Sequence, residues 1–267
     1  MRLIFTLILL MVSVVHGQPA PEPAPGVERS ALFLFKPGDR IDDAGVMNVT
    51  GGRFDRREAF EFVSRTDGSR ILTSVTVAAG GLYRVEGRWL YTRDGLALSA
   101  NGVGSYEGDS TAIAIRRDRD MAELSVGGAA RARHRAWCPD NCLMDMSPSA
   151  MAMFTMTRRY DQALGGPQVF RWVGRSLIVD QVLLDGTAEI IRLGEFGYEG
   201  PNGPVTVRQY RFEETLKDEA SGQTAQVAFN LYTDHQNRPL AFATAGSTRG
   251  ERLGYEGITS ALPPRFD

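Results

Sequence analysis

The sequence predicts an all-β fold: an antiparallel meander of a dozen or more strands that forms a β-clam, a sandwich or an incompletely closed barrel, with few helices. Apolar and polar residues alternate with a period of two in successive segments, which is typical of half-buried strands. Turn sequences such as Asp67-Gly68 separate these segments, and no long amphipathic helical pattern interrupts them. A chain of 267 residues can bury a sizeable core in such a fold.

The chain begins with a pattern typical of export. Arg2 precedes an apolar run over residues 3–15, and Gly17 precedes a proline-rich stretch. The run is too short to cross a bilayer, and a small residue before the cut suits signal peptidase. We therefore predict a cleaved signal peptide over residues 1–17, a flexible lead over residues 18–28 and an all-β domain over residues 29–267. Because no lipid-attachable cysteine lies directly at the cleavage point, the mature protein is predicted to be soluble and periplasmic or secreted, with no integral membrane segment.

The clearest hairpin lies over residues 83–100, where apolar and charged residues alternate up to a turn at residues 92–95. Similar patterns predict further hairpins and therefore an antiparallel meander. One predicted hairpin pairs residues 58–66 with 71–77. A second pairs residues 171–173 with 177–183 through a turn at Gly174-Arg175, and residues 177–183 then pair with 188–193 through a turn at Asp185-Gly186. The last pairs residues 205–216 with 227–231, which in turn pair with 240–244.

Residues 147–160 are compatible with either a helix or a strand. Ser147-Pro148 resembles an N-cap followed by proline at the first helical position. Phe154, Thr155 and Thr157 favour a strand instead. The sequence leaves both interpretations open.

The triplet Tyr-Glu-Gly occurs at residues 106–108, 198–200 and 255–257, each time near the end of a strand-like segment. An internal duplication is one interpretation and chance is the other. If the duplication is real, the two similar halves meet near residues 138–148.

Cys138 and Cys142 are the only cysteines, and Pro139 and a turn-forming Asp140-Asn141 lie between them. In an oxidising compartment such a pair can close a small disulfide loop, so we predict a structural disulfide. A redox-active pair usually has two intervening residues in a thioredoxin-like context, which is not seen here.

The formal net charge of −2 provides no general basic field, so a nucleic-acid partner is not expected. Basic charge is almost entirely arginine, with Lys36 and Lys217 the only lysines. Because the arginines are scattered along the chain, their excess indicates genome composition rather than a recognition device.

Enzymatic signals are weak. His134 and His235 are the histidines beyond the predicted signal peptide, and both are predicted to be surface residues. No serine lies in a nucleophile elbow, no zinc-ligand spacing occurs, and carboxylates are too common to indicate a glycosidase. No catalytic residue, metal site or cofactor is therefore predicted.

Five of the nine methionines lie between residues 144 and 156. Three interpretations remain open for this methionine-rich segment: a thioether site for Cu(I), a flexible apolar lining for a ligand, or ordinary core packing.

The pattern of hairpins resembles periplasmic lipoprotein carriers (LolA-like) and glycolipid-binding β-clam proteins. The features that carry this resemblance are residues 205–212 and the hairpin over residues 227–242, with its polar turn from Asp234 to Arg238-Pro239. The resemblance covers about the last seventy residues. It implies a strongly curved antiparallel sheet around an apolar cavity, and a transport function.

These observations favour an exported soluble protein that binds an apolar or amphiphilic ligand, such as a lipid or glycolipid, in a β-lined cavity. A secreted hydrolase with an unrecognised site and an envelope module that binds a protein partner are the alternatives. The candidate ligand-binding residues are Tyr83, Trp89, Met151, Met153, Phe154, Met156 and Trp172.

Overall fold

The computed structural model describes residues 36–51, 55–78, 83–107, 109–127, 133–145, 149–175, 183–218 and 224–266. The predicted signal peptide and lead lie outside these residues. The described part contains fifteen strands in a single sheet, together with two short helices. The all-β prediction is confirmed.

The strands follow the chain in order, and their bounds show where the sequence pattern changes from strand to turn. They are β1 (Arg40–Thr50), β2 (Arg56–Ser64), β3 (Arg70–Ala78), β4 (Tyr83–Tyr91), β5 (Ala97–Tyr106), β6 (Asp109–Asp118), β7 (Met121–Val126), β8 (Arg133–Trp137), β9 (Cys142–Asp145), β10 (Gln168–Arg175), β11 (Leu183–Gly200), β12 (Gly203–Asp218), β13 (Thr224–Asp234), β14 (Pro239–Thr244) and β15 (Arg249–Arg252). The helices are α1 (Ala150–Met156), which continues into a 3₁₀ helix (Thr157–Arg159), and α2 (Ile258–Ala261).

Two meanders make up the sheet. Strands β1 to β8 pair consecutively, strands β10 to β15 also pair consecutively, and β1 pairs with β15 to join the two series. All of these pairs are antiparallel, whereas β9 pairs with β10 in parallel. The order therefore starts at β8, passes through β1 and β15, and ends at β9.

The two edges of the sheet are neighbours along the chain. The edge strands β8 and β9 are connected by the short loop that contains the predicted disulfide, and Cys138 and Cys142 are joined with their Cα atoms 5.0 Å apart. Across this seam, the Nε of Arg171 on β10 donates to the carbonyl oxygen of Trp137 on β8 at 2.5 Å. The sheet is thus curved until its edges approach each other, although β8 and β9 do not pair within the described residues.

Arg117 on β6 holds the disulfide loop in place. Its guanidinium donates to the carbonyl oxygens of Cys138 at 2.6 Å, Pro139 at 2.9 Å and Cys142 at 2.9 Å. It also donates to the carbonyl oxygen of Ala97 at 3.1 Å. One side chain therefore ties β5 and β6 to the seam.

Helix α1 fills the interior of the curved sheet. All seven of its residues are buried, and it packs against β3, β9 and β14. Its apolar side chains belong to one core cluster with residues from both meanders. The helix lacks an exposed polar face because the sheet surrounds it.

Glycines allow large aromatic rings to lie flat on the inner face of the sheet. A Cβ at Gly87 would lie 2.2 Å from the Trp89 ring, and a Cβ at Gly250 would lie 2.1 Å from the Phe242 ring. Both values are well below a van der Waals contact, so the rings occupy the space that a side chain would need.

A smaller core lies where the end of the chain covers β12 to β14. Ile258 of α2 packs with Val207, Tyr232 and Leu240. The buried amide of Asn230 donates to the carbonyl oxygen of Arg265 at 2.8 Å, so the final segment satisfies polar groups of the sheet. Neither described helix has the length and apolar character needed to cross a membrane.

Most predicted hairpins are confirmed, including β2–β3 and β4–β5. The predicted turn at Gly174-Arg175 is wrong, because both residues lie within β10. The predicted turn at Asp185-Gly186 is also wrong, because both residues lie within β11. Gly186 pairs with Trp172 on one side and Leu216 on the other, so pairing on both edges overrides the local turn preference. The segment at residues 177–182, predicted as part of a return strand, lies outside the described residues.

Candidate functional site

The seven predicted ligand-binding residues lie in the interior. Tyr83 and Trp89 are on β4, Trp172 is on β10, and the other four are on α1. Each is at most 7% exposed, and all belong to the main core cluster. The structure therefore brings them together as one buried apolar region, and their role in ligand binding stays a prediction.

Two of these residues carry a polar group without a partner. The indole N–H groups of Trp89 and Trp172 are buried and have no hydrogen-bond acceptor within the described part of the chain. A buried donor without an acceptor costs free energy, of the order of 1–3 kcal/mol.

A polar pocket of about 360 Å³ lies near the beginning of β1, next to the turn between β13 and β14. This volume falls in the range of roughly 300–1,000 Å³ that is common for small-molecule sites. We call it the arginine pocket, because half of its lining residues are arginines. The lining residues are Arg40, Ile41, Asp42, Asp43, Arg70, Arg158, Gln236 and Arg238.

Two irregularities in strand pairing shape this pocket. In the β1–β2 pair, Ile41 and Asp43 face consecutive residues of β2, so Asp42 is an extra residue that forms a bulge. In the β13–β14 pair, the register shifts between Tyr232 and Thr233. Bulges redirect side chains and are common next to functional sites. Here the β1 bulge places both Asp42 and Asp43 on the pocket wall.

Asp43 forms a buried ion pair with Arg252 of β15. The Arg252 guanidinium donates to both carboxylate oxygens, at 2.8 Å and 3.0 Å. Burial raises the pKa of Asp43, although the charge and hydrogen bonds of Arg252 act in the opposite direction. The pair joins β1 and β15, which are the first and last described strands along the chain and are neighbours in the sheet.

The turn at residues 234–239 forms a second wall. The buried Asp234 carboxylate accepts hydrogen bonds from the backbone N–H groups of Gln236 at 2.8 Å and Arg238 at 2.9 Å. It also accepts one from the Arg238 guanidinium. Asn237 has a φ of 59°, a left-handed conformation that asparagine tolerates in turns. The turn is thus fixed around Asp234, with Arg238 aimed at the pocket.

Arg158 and Arg70 differ from the other pocket arginines because they have no carboxylate partner within the described residues. Arg158 lies in the 3₁₀ helix after α1, is largely buried, and stands 6.0 Å from the centre of the Phe62 ring. Burial lowers the pKa of Arg158, and the positive charge of Arg70 lowers it further, whereas Asp42, Asp43 and Asp234 raise it. The pocket therefore contains two guanidinium groups whose charge is not neutralised by direct contact.

Helix α1 is positioned for this role by Glu58 of β2. The buried Glu58 carboxylate accepts from the Ser149 hydroxyl and from the backbone N–H groups of Ala150 at 3.1 Å and Met151 at 3.4 Å. These are the unsatisfied donors at the beginning of the helix. The sheet thus fixes one end of α1 while the other end presents Arg158 to the pocket.

The arrangement is suited to binding an anion. Guanidinium groups bind carboxylates and phosphates through paired hydrogen bonds. The aspartates that line the pocket are each bonded to an arginine: Asp42 to Arg40 at 2.8 Å, and Asp43 to Arg252. Neither is therefore free to act as a general base.

Sequence reasoning did not identify these arginines. Their scatter along the chain indicates genome composition, yet folding gathers four of them around one pocket. The only local signals were the pair Arg158-Arg159 after the methionine-rich segment and the polar turn from Asp234 to Arg238-Pro239. His235 is exposed in that turn, as predicted. The side chain of His134 lies outside the described residues.

Comparison with known proteins supports the fold. The crystal structure of a β-barrel-like protein of the domain of unknown function DUF1849 from Brucella abortus aligns with a TM-score of 0.52 and 9% identity, over 78% of this chain and 94% of that chain. A DUF1089 family protein from Pseudomonas aeruginosa aligns with a TM-score of 0.39 and 15% identity, over 86% of this chain and 98% of that chain. No protein-family model matches the chain, and a search of curated proteins gave no match. The first structural likeness identifies the fold as β-barrel-like.

Proposed function

We propose that this protein binds an amphiphilic anion and holds its charged group in the arginine pocket. The observation that carries this proposal is Arg158, a largely buried guanidinium that lines a cavity of about 360 Å³ without a carboxylate partner within the described residues. Keeping a cation in such a position is costly unless an anion joins it. The ligand anion supplies that partner.

The surroundings of Arg158 explain why the ligand is amphiphilic. The guanidinium lies over Phe62, and Met156, two residues earlier in the chain, belongs to the apolar core. The ligand's apolar part lies on this side, against Phe62, whose ring belongs to the same apolar core. The lipid or glycolipid ligand expected from the sequence is retained in this form.

We place the mature protein in the periplasm or outside the cell. The apolar leader favours export, and the disulfide between Cys138 and Cys142 is of the kind that persists in oxidising compartments. A carrier of lipids like the periplasmic lipoprotein carriers would need both an exported chain and a curved β-sheet. The β-barrel-like fold is compatible with that function.

A fluorescent fatty acid and its methyl ester provide the test. Both have the same apolar chain, but only the acid has a carboxylate for the arginines. The acid is expected to bind at least tenfold more tightly, which corresponds to about 1.4 kcal/mol. Arg158→Gln should remove most of this difference, whereas Arg93→Gln, which removes an exposed arginine in the turn between β4 and β5, should leave it unchanged.

Two results would contradict the proposal. Equal affinity for the acid and the ester would show that the arginine pocket does not hold the charged group. Equal affinity for acetate and the long-chain acid would show that the ligand is not amphiphilic. Circular dichroism of each variant separates a loss of binding from a loss of fold, and Arg70→Gln serves as the second variant.

A further inference from the structure

The charges around the arginine pocket do not balance. Two carboxylates line the pocket, and a third, Asp234, holds the turn beside it. Each is already bonded to one arginine: Asp42 to Arg40, Asp43 to Arg252, and Asp234 to Arg238. These three pairs are neutral overall.

Two positive charges are left over. Arg70 and Arg158 line the pocket and form no ion pair with any described residue. Their like charges repel, and the charge of Arg70 accordingly lowers the pKa of Arg158. A ligand with one negative charge would leave an excess of one, whereas a ligand with two would neutralise both guanidiniums.

We infer that the charged group held by the arginine pocket is a doubly charged phosphate monoester rather than a monocarboxylate. This inference rests on the proposed function and names the chemical class of its ligand. A phosphate monoester carries three terminal oxygens and a charge of about −1.5 to −2 at neutral pH. Two guanidinium forks can each donate paired hydrogen bonds to such a group, and its three terminal oxygens and second negative charge match two guanidiniums better than the two oxygens and single charge of a carboxylate.

The rim of the pocket offers further donors. Gln236 lines the pocket and is exposed. The Arg238 side chain remains 39% exposed although it is bonded to Asp234. Arg40 is the most exposed of the pocket arginines, with 79% of its side chain accessible. These groups are the more exposed part of the lining, whereas Arg70 and Arg158 are partly buried.

Isothermal titration of the mature protein can separate the possible ligands. The probes are dodecyl phosphate, dodecanoate and inorganic phosphate, at a pH well above the second ionisation of a phosphate ester, which is about 6. Dodecyl phosphate is expected to bind at least tenfold more tightly than dodecanoate. Arg70→Gln and Arg158→Gln should each reduce this preference to threefold or less, and Arg93→Gln should not change it.

The outcomes distinguish this inference from the proposed function. Equal binding of dodecyl phosphate and dodecanoate, both weakened by Arg158→Gln, would overturn the phosphate inference and leave the proposed function standing. Inorganic phosphate binding as tightly as dodecyl phosphate would overturn both the monoester and the amphiphilic ligand, and would assign the site to free phosphate. No binding of any probe would overturn both. If Arg158→Gln fails to fold, Arg70→Gln provides the same comparison.

Discussion

The side-chain carboxylate of Glu58, on β2, caps the beginning of helix α1. Its oxygens meet the first N–H groups of α1 and the hydroxyl of Ser149, so a buried negative group lies at the positive end of the helix. Such a cap usually comes from the residue before the helix. Here Ser149 occupies that position but donates its hydroxyl to Glu58 instead.

Glu58→Gln is expected to destabilise the protein by about 1–3 kcal/mol. Glutamine has one acceptor oxygen, and its NH₂ group would face a backbone N–H of α1, which leaves a buried donor unsatisfied. The measurement is the urea unfolding midpoint. Glu107→Gln, in the exposed turn after β5, is the matched control and should change stability by less than about 0.5 kcal/mol. Equal midpoints for wild type and Glu58→Gln would show that Glu58 does not cap the helix.

The same variant tests the ionisation of Glu58. Burial raises its pKa above the ordinary value of 4.5, although hydrogen bonds from Ser149, Ser74 and Ala150 act to lower it. The folded state therefore keeps this proton at a pH where the unfolded chain has lost it. The resulting stability is fully present below the ordinary pKa and is lost as the pH rises through the raised pKa. In Glu58→Gln this decline should be absent, and an unchanged pH profile would contradict the assignment.

The sequence could not reveal this contact, because Glu58 and Ser149 are 91 positions apart. The same is true of the pair between Asp43 and Arg252, which are 209 positions apart. Residues of this kind contribute no periodicity and no local motif. Alternation within β4, by contrast, depends only on neighbours, so the burial of Tyr83 and Trp89 could be predicted from the sequence alone.

At the scale of elements, short hairpins were predictable and long strands were not. The β4–β5 turn and the turn at residues 234–239 combine a local turn sequence with alternation on both sides. β11 passes through Asp185-Gly186 because it is paired on both edges, a fact that depends on distant segments. For the same reason α1 was ambiguous: its uniformly apolar sequence reflects enclosure by the sheet rather than a helical period.

Arg117→Lys is expected to weaken the protein by about 1.5–3 kcal/mol, the usual contribution of hydrogen bonds to a charged group. A lysine ammonium cannot reach the carbonyl oxygens of Ala97 and of the disulfide loop with the planar fork that arginine provides. The measurement is thermal or chemical unfolding of the oxidised protein. Arg116→Lys is the control, since the neighbouring Arg116 side chain is 68% exposed and forms a surface ion pair with Glu123. Equal losses in both variants would show that Arg117 does not hold the seam.

The methionine-rich segment gives a prediction for α1. Met151 is 0% exposed and lies in the core cluster. Met151→Ala should therefore cost about 2–5 kcal/mol in the free energy of unfolding, because the lost side chain leaves a cavity. Leu164→Ala is the control, since Leu164 is 74% exposed.

Changing Met151, Met153 and Met156 together to serine should prevent folding. A stable triple variant that no longer binds a fatty acid would instead support a flexible apolar lining.

At the scale of the whole molecule, curvature assembles the site. In the strand order β1 is followed by β15, β14 and β13, and the beginning of β1 meets the turn at residues 234–239 in the arginine pocket. β3 and the 3₁₀ helix after α1 complete the pocket with Arg70 and Arg158. A meander of hairpins predicts none of these contacts by itself, because they depend on how far the sheet curls. The fold class was therefore visible in the sequence, whereas the arginine pocket was not.

Export is expected to remove the predicted signal peptide and to leave the two cysteines joined in a disulfide. The predicted signal peptide ends at Gly17, so mature protein recovered from a bacterial periplasm should begin at Gln18. Its two cysteines should resist alkylation without a reductant, because the compartment is oxidising and the short loop holds them together. N-terminal sequencing and mass analysis after alkylation measure both properties. A form without residues 2–17, kept in the cytoplasm, is the control and should contain reduced cysteines. A retained leader in the periplasmic protein would contradict the cleavage site, and two alkylated cysteines in that protein would contradict the disulfide.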